Sequence, residues 1–209
     1  MFYIDPSRRA WTEADFFARG REVVEAVLAW VGEGLQRGRM LEIGCGVGRL
    51  LGHFAEHFEQ VDGVDIAPEM IERARALDLP ANVRLGTVSG RDLAPYGKDE
   101  LDFVFSFLVF QHIPDSEVIA GYMSEIRRVL KEGGRAVIQF DTRPATLVGR
   151  LAFSLPDPVL PRTRRRFIRR YRRSPEAVIA LAREAGLTVE EERGAGTALH
   201  FLLLRPGRG

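Results

Sequence analysis

Short apolar segments alternate along this chain with longer segments in which apolar side chains recur every three or four residues. The short segments are typical of buried strands, and the periodic ones are typical of amphipathic helices. This alternation favours an α/β fold. Strands are predicted at residues 40–43, 60–65, 83–85, 101–107, 135–140, 187–191 and 198–204, and the last two, separated by the turn-like residues 193–196, form a predicted hairpin.

Helices are predicted between these strands from their periodicity and their end signals. One follows the first strand, and a second begins at Pro68, because proline is favoured in a first helical turn. A third covers residues 116–130, and Gly133 and Gly134 are predicted to end it. A fourth follows Ser174, a residue type that is favoured as an N-cap.

The turn after the first predicted strand is rich in glycine. It reads LEIGCGVGR over residues 41–49, so Glu42 and three glycines lie where a strand becomes a helix. Glycine lacks a Cβ atom and reaches positive φ without steric cost, so a ligand can lie against this backbone. Dinucleotide-binding turns read G-x-G-x-x-G, but Arg49 occupies the place of the third glycine, which disfavours a pyrophosphate ligand. A purely structural turn is the alternative.

A carboxylate ends the second predicted strand. Asp65 is the last residue of the segment QVDGVD, residues 60–65. Open α/β sheets bind ligands at the carboxyl ends of their strands, and a carboxylate there can accept hydrogen bonds from both hydroxyls of a ribose. Asp65 is therefore the predicted partner of the glycine turn in a ligand site.

These two segments carry a family resemblance. LEIGCGVGR resembles the first motif, and GVDIAPEMIERAR the second motif, of the class I S-adenosylmethionine-dependent methyltransferases, and the likeness extends over nearly the whole chain. It implies a three-layer, doubly wound, seven-stranded sheet whose last strand is antiparallel, with S-adenosylmethionine as the cofactor. Residues 1–209 would form one domain.

The resemblance also implies which residues hold the cofactor. Glu42 and the glycine turn would surround its methionine part, Asp65 would hold the ribose, and Ile66 would pack on the adenine. The implied cofactor residues are Glu42, Gly44, Cys45, Gly46, Gly48, Asp65, Ile66 and Phe107.

The chain departs from the family pattern at the adenine end of this site. Many relatives carry an acidic residue shortly after the third strand, whereas Gly86 is followed here by Thr87. The adenine contact is therefore placed within Ser89, Gly90, Arg91 and Asp92, with Asp92 as the acid. In the alternative interpretation, Asp92 only caps a turn.

Two residues are candidates for a catalytic base. His112, in the segment FQHIPD, follows the fourth strand, and histidine titrates near neutral pH. Asp141 lies at the tip of the fifth strand. In the alternative interpretation, Gln111 and His112 only shape the loop and pack against the cofactor.

Composition narrows the possible classes of protein. A chain of 209 residues with 45% apolar content can bury one substantial core. The lone cysteine, Cys45, has no cysteine partner for a disulfide or a metal site, so no metal is expected. No apolar run approaches the roughly 20 residues of a membrane span, and residues 1–10 lack a secretory signal pattern, which predicts a cytoplasmic protein.

The net charge of +1 conceals one strongly basic segment. Between Arg162 and Arg173 the chain reads RTRRRFIRRYRR, with eight arginines in twelve residues. This segment could bind nucleic acid or an anionic membrane surface. Alternatively, Phe167, Ile168 and Tyr171 face the domain and the arginines extend outward to pair with surface acids.

Two regions are predicted to cover the site. Residues 141–173 form a basic insertion that could bind substrate, and the N-terminal helical segment, residues 1–38, carries Trp11, Phe16 and Phe17. The chain lacks the Asn-Pro-Pro-Tyr type motif of amino-group methylation on adenine or glutamine and the Pro-Cys pair of cytosine C5 methylation. It also lacks a clear Asp, Asp-Asn set of a magnesium-dependent catechol enzyme. Transfer of a methyl group to an oxygen, nitrogen or carbon atom of a small molecule is thus the main hypothesis. The alternative is a non-catalytic or nucleic-acid-binding protein with the same fold.

Overall fold

The structure is a computed structural model that describes residues 13–144 and 170–207. Trp11, residues 146–160 and residues 162–169 of the basic segment lie outside the described residues, as do the side chains of Phe16 and Phe17. The predictions that involve them stay predictions.

Strands and helices alternate along the described chain. The strands are β1 (Arg39–Ile43), β2 (Gln60–Asp65), β3 (Val83–Thr87), β4 (Leu101–Ser106), β5 (Leu130–Phe140), β6 (Leu187–Arg193) and β7 (His200–Pro206). The helices are α1 (Glu13–Val31), α2 (Leu51–Ala55), α3 (Pro68–Arg75), α4 (Ser116–Val129) and α5 (Pro175–Glu184), and a short 3₁₀ turn, Phe110–His112, precedes α4.

The strands form one seven-stranded sheet in the order β3-β2-β1-β4-β5-β7-β6. Strands β1 to β5 pair in parallel, and β7 lies antiparallel between β5 and β6. Side chains of β1 alternate between two apolar layers: Leu41 and Ile43 pack with α4 and α5, and Met40 packs with α1, α2 and α3. The predicted doubly wound fold, with its antiparallel last strand and terminal hairpin, is confirmed.

The start of α5 follows its predicted signals. Ser174 is the N-cap, and its Oγ accepts a hydrogen bond from the backbone N of Ala177 at 3.2 Å. Pro175 occupies the first turn, where its missing N–H costs no helical hydrogen bond.

The predicted end of the helix before β5 is wrong. Helix α4 ends at Val129, and Gly133 and Gly134 lie inside β5. Residue Leu101 of β4 pairs with Leu130, but Phe103 pairs with Arg135, so β5 carries a bulge between these two pairs. Glycine at position 134 lets the backbone pack closely in this bulge, because a Cβ atom there would lie 3.0–3.2 Å from three backbone oxygens.

The sheet order places a crevice between β1 and β4. The chain proceeds outward from β1 through β2 to β3, and then returns to β4 on the other side of β1. Ligands of open α/β sheets bind at this reversal, outside the carboxyl ends of the strands. The glycine loop after β1 and the loop after β4 both lie at this edge.

Aromatic rings fill the apolar layer beneath the glycine loop. The ring of Phe54 in α2 lies 5.3 Å from that of Phe105 and 6.2 Å from that of Phe103, centroid to centroid. The Phe58 ring stacks on Phe103 at 5.8 Å. All four side chains are buried, so α2 is held on the sheet by ring contacts as well as by area burial.

No helix in the described ranges is long and apolar enough to span a membrane. The cytoplasmic location stays a prediction.

We predict that Phe54→Ala lowers the free energy of unfolding by about 3–5 kcal/mol, because it removes a fully buried ring and leaves a cavity under α2. Urea denaturation of the two proteins measures the difference. Ile66→Ala, at a side chain that is 65% exposed, is the control and is expected to change stability by less than about 0.5 kcal/mol. A loss below about 1 kcal/mol for Phe54→Ala would contradict the packing described here.

Candidate functional site

The glycine loop is folded against the end of β2. The backbone nitrogens of Gly44 and Cys45 both donate to the carbonyl oxygen of Val64, at 2.7 and 3.0 Å. The nitrogen of Gly46 donates to Oδ2 of Asp65 at 2.9 Å. The loop between β1 and α2 is therefore held in place by main-chain contacts and by one side chain.

The three glycines of this loop have different surroundings, although all have positive φ. A Cβ atom on Gly44 would lie 2.2 Å from Cγ2 of Val109, so this glycine lets the loop after β4 approach closely. A Cβ on Gly48 would contact Ala74 at 3.4 Å, which is ordinary packing against α3. Only at Gly46, of the three, would a Cβ meet no atom within 4 Å. Gly46 is thus where a ligand can approach the backbone.

Asp65 lies at the carboxyl end of β2, as predicted, and both of its carboxylate oxygens accept backbone hydrogen bonds. Oδ2 accepts from Gly46 N, and Oδ1 accepts from Ala67 N at 2.9 Å. Each carboxylate oxygen has a second lone pair, so both can also accept a hydrogen bond from a ligand hydroxyl. The backbone contacts orient the carboxylate for that role.

Glu42 is a buried acid next to the loop, with only 4% of its surface exposed. No described residue donates a hydrogen bond to its Oε2 atom. Burial raises the pKa of Glu42 to about 8, with a further increase from Asp65 and an opposing decrease from Arg49. A buried oxygen without a hydrogen-bond donor destabilises the protein, and a cationic ligand group would supply that donor. This carboxyl is therefore suited to a cationic ligand group.

Arg49 lies at the site although it is not among the predicted site residues. Its guanidinium lies 5.9 Å from the ring centroid of Phe107, which itself stacks on Phe201 at 5.7 Å. Burial lowers the pKa of Arg49, and Glu42 opposes that decrease. The sequence could have indicated this residue, because Arg49 occupies the position of the third glycine of dinucleotide-binding turns. Phe107, an implied cofactor residue, lies just after β4 and is buried in the apolar layer.

Ile66 and the residues after β3 form the outer part of the site. Ile66 is 65% exposed and is the one large apolar side chain with that much exposure within the described part of the chain. A Cβ on Gly90 would lie 3.1 Å from its Cγ2 atom, so the 89–92 segment runs beside Ile66. Asp92 accepts from Ala94 N at 3.2 Å, which fits the turn-capping interpretation, and Ser89 accepts similarly from Arg91 N.

The loop after β4 contains a strained residue. Leu108 has φ of +62°, which a non-glycine residue rarely adopts. Its backbone N donates to Oε1 of Gln139 at 2.9 Å, and Nε2 of Gln139 donates to the carbonyl oxygen of Ala198 at 2.7 Å. The fully buried Gln139 side chain thus connects the β4 loop to the connection before β7.

The two candidate bases both have polar partners. Nε2 of His112 lies 3.1 Å from Nε2 of Gln111, whose side chain is 1% exposed. Asp141 is buried and forms an ion pair with Arg143, whose Nε and Nη2 atoms donate to the two carboxylate oxygens at 3.0 and 2.5 Å. The hydrogen bond from Arg143 to Asp141 raises the pKa of the guanidinium. The Asp141 carboxylate is therefore committed to Arg143.

The described end of the basic segment contacts the protein itself. Tyr171 N donates to Gln111 O at 2.7 Å, and Arg173 N donates to Asp141 O at 3.2 Å. Nη2 of Arg173 donates to Ile113 O and Pro114 O at 2.9 and 3.0 Å, and Nη1 of Arg172 donates to Pro144 O at 3.0 Å. Arg172 and Arg173 therefore satisfy backbone carbonyls at the edge of the site.

Helix α1 lies against the glycine loop. A Cβ on Gly20 would lie 2.8 Å from the carbonyl oxygen of Arg49, so the close approach of α1 to the loop requires glycine at this position. Arg21 adds two hydrogen bonds to Glu56, at 2.8 and 2.7 Å. The described part of the N-terminal segment therefore supports the loop from one side.

An open cleft of about 680 Å³ lies at the opposite edge of the sheet. It is lined by residues that precede β1 and β2 and by Asp102 and Lys131, near the starts of β4 and β5. Nζ of Lys131 donates to both oxygens of Asp102, at 3.0 and 2.9 Å. This cleft is remote from the glycine loop, so the carboxyl edge is the better candidate site.

Among the described residues, no group of three or more histidine, cysteine, aspartate or glutamate side chains could hold a metal ion. Cys45 is buried, and burial raises the pKa of its thiol, so it is neutral. The polar groups at the carboxyl edge match an organic ligand that carries a cationic group and hydroxyls.

Comparisons with known proteins agree with this geometry. Residues 41–138 match the model of a methyltransferase domain. The ubiquinone biosynthesis O-methyltransferase of Hydrogenovibrio crunogenus is 28% identical over 180 residues, 83% of this chain and 70% of that protein. The biotin biosynthesis bifunctional protein BioHC of Cellvibrio japonicus is 35% identical over 129 residues, 61% of this chain but only 24% of that protein, so the match spans about a quarter of its length.

A solved structure shares the whole fold. Magnesium protoporphyrin IX methyltransferase from Synechocystis PCC 6803, with bound SAH, superimposes with a TM-score of 0.67 at 19% identity. The match covers 96% of this chain and 90% of that one.

We predict that Asp65→Ala destabilises the protein even without a ligand, by about 1–3 kcal/mol, because Gly46 N and Ala67 N lose their acceptor. Asp65→Asn keeps one side-chain oxygen and is expected to lose about half as much. Chemical denaturation of the three proteins gives the values. Equal stability of Asp65→Ala and wild type would show that these contacts do not hold the loop.

Proposed function

Because the chain belongs to the class I S-adenosylmethionine-dependent methyltransferases, we propose that it transfers a methyl group from S-adenosylmethionine to an oxygen, nitrogen or carbon atom of a small molecule. The observation that carries this proposal is the buried Glu42 carboxyl at the end of β1, followed by a glycine loop whose backbone is open to a ligand at Gly46. An acid next to an open loop suits the amino-acid end of such a cofactor, and Asp65 suits its ribose.

The described residues fit each part of such a cofactor. Glu42, as a carboxylate in the complex, would bind the α-ammonium group and Arg49 the α-carboxylate, so each charged group of the amino-acid end would meet a group of opposite charge. Asp65 would accept the ribose hydroxyls. Ile66, with the 89–92 segment beside it, would pack on the adenine.

When bound, the cofactor supplies a methyl group on a positively charged sulfur. The task of the protein is then to hold the acceptor close, aligned and away from water. Asp141 suits positioning rather than proton transfer, because its carboxylate is paired with Arg143. We assign His112 to the same role, with its ring oriented by Gln111.

The acceptor is proposed to be a small hydroxyl compound. This choice is supported by the name of the relative from Hydrogenovibrio crunogenus, an O-methyltransferase of ubiquinone biosynthesis. The alternative of nucleic-acid binding finds less support, since Arg172 and Arg173 are engaged with backbone carbonyls.

We predict that Gly46→Ala weakens binding of S-adenosylmethionine by at least about tenfold, since the added methyl group would enter the space of the ligand. Isothermal titration calorimetry measures this change. Gly34→Ala, before β1, is the matched control: Gly34 also has positive φ, +91°, and its Cβ would also meet no atom within 4 Å, so its affinity should equal that of wild type. A wild-type protein that does not bind S-adenosylmethionine would refute the proposed function.

We also predict that His112→Ala retains turnover within about tenfold of wild type, because removing a true general base costs about 10²–10⁴. Transfer of a labelled methyl group to a panel of small phenols and alcohols measures the rate. A loss of a hundredfold or more, together with loss of the acidic limb of the pH profile, would instead make His112 a base. Asp141→Asn serves as the parallel variant, and its loss of the Arg143 ion pair should appear mainly in KM.

A further inference from the structure

We infer that Glu42 is a neutral acid in the free protein and a carboxylate in the complex, so that binding of the cofactor's α-ammonium group releases a proton from the site. This inference rests on the proposed function and adds a property of its binding step. It makes Glu42 a specificity residue that responds to the charge of the ligand's amino group.

The position of Glu42 on the sheet explains why its carboxyl is neutral. Glu42 pairs with Gly63 of β2 and with Phe105 of β4, so the three side-chain positions share one face. That face carries the apolar layer under α2. A Cβ on Gly63 would lie 2.6 Å from Leu51 and 3.1 Å from the sulfur of Cys45, which shows how tightly this layer closes around the acid.

One of the two oxygens of the Glu42 carboxyl lacks the contacts that stabilise an ion. Its Oε2 atom has neither solvent contact nor a hydrogen-bond donor from the described residues. Removal from water disfavours the charged form of a carboxyl, so the group takes up a proton. Geometry alone therefore favours the neutral form, and the raised pKa, about 8, agrees with it.

The charged and titratable groups that act on Glu42 do not reverse this preference. Arg49, in the glycine loop, favours the carboxylate, whereas Asp65, at the end of β2, disfavours it. The Cys45 thiol is neutral because burial raises its pKa. Burial has the largest effect on the pKa of Glu42, and Arg49 and Asp65 act in opposite directions.

A bound α-ammonium group shifts Glu42 from its neutral form to its carboxylate form. It brings N–H donors and a full positive charge to a carboxyl whose Oε2 atom has no donor from the described residues, and a charge-assisted hydrogen bond favours the carboxylate. The O–H proton of Glu42 then passes to solvent, while the ammonium group keeps its three protons. Up to one proton is released for each cofactor bound, and an analogue without the amino group releases none.

The test is calorimetry at pH 7.0 with S-adenosylhomocysteine, which has the same amino-acid end, in buffers of different ionisation enthalpy. The dependence of the apparent binding enthalpy on buffer enthalpy counts the protons exchanged. We expect release of between about one half and one proton from wild type. We expect none from Glu42→Gln, which has the same shape but no proton to lose.

The pH dependence gives a second measurement. Because only the carboxylate form binds well, wild-type affinity should rise by about tenfold per pH unit below pH 8. Titration of the ligand's own amino group is common to both proteins, so the ratio of their affinities isolates Glu42. This ratio should change with pH between 6 and 8.

The outcomes separate the inference from the proposed function. Tight wild-type binding without proton release, or with the same pH profile as Glu42→Gln, overturns the inference and leaves the methyltransferase proposal intact. Failure of wild type to bind refutes both.

Folding of the variant is checked without a ligand. Since the folded-state pKa of Glu42 lies above its unfolded value, wild type loses stability relative to Glu42→Gln as pH rises from about 5 to about 8. Thermal unfolding across this range should show the divergence, and parallel curves would also overturn the inference.

Discussion

The position of the Asp65 carboxylate is the constraint on which the rest of the site depends. It accepts hydrogen bonds from Gly46 on one side and from Ala67 on the other, so one side chain determines both the path of the glycine loop and the approach to α3. This contact exists only because β1 and β2 are adjacent and parallel, which brings the ends of both strands to one edge. The surface offered to a ligand is thus formed before any ligand arrives, and binding need not include the cost of ordering the loop.

Several features of this edge are locally unfavourable, and the surrounding packing maintains them. Glu42 places an acid in an apolar layer, and Leu108 adopts a backbone conformation that its side chain disfavours. Glu42 shares its face of the sheet with Phe105, whose ring packs against Phe54, and Leu108 is held by the buried Gln139 side chain. Such unfavourable local features persist where many surrounding contacts hold them in place, and they commonly occur at functional sites. Both lie at the ends of β1 and β4, at the crevice between these strands.

The sequence predicts the fold well because the apolar periodicity and the capping signals are local. The segment 60–65 is a strand with the predicted bounds, and Ser174 caps α5 as expected. The failures concern tertiary contacts. Gly133 and Gly134 have the composition of a helix end, but their bulge depends on pairing with β4. Likewise, the different surroundings of Gly44, Gly46 and Gly48 follow from contacts with the β4 loop and α3, and the raised pKa of Glu42 follows from its burial. A motif encodes neither of these.

The contact between Arg172 and Pro144 has a consequence for how relatives of this protein could diverge. It holds residues 144 and 172 close to each other, and residues 171–173 are further attached to the loop after β4 and to the end of β5. The entropy of loop closure grows only slowly with length, so a change in the number of residues between two such fixed points costs the fold little. Relatives of different length at this position can therefore keep the same sheet and the same glycine loop.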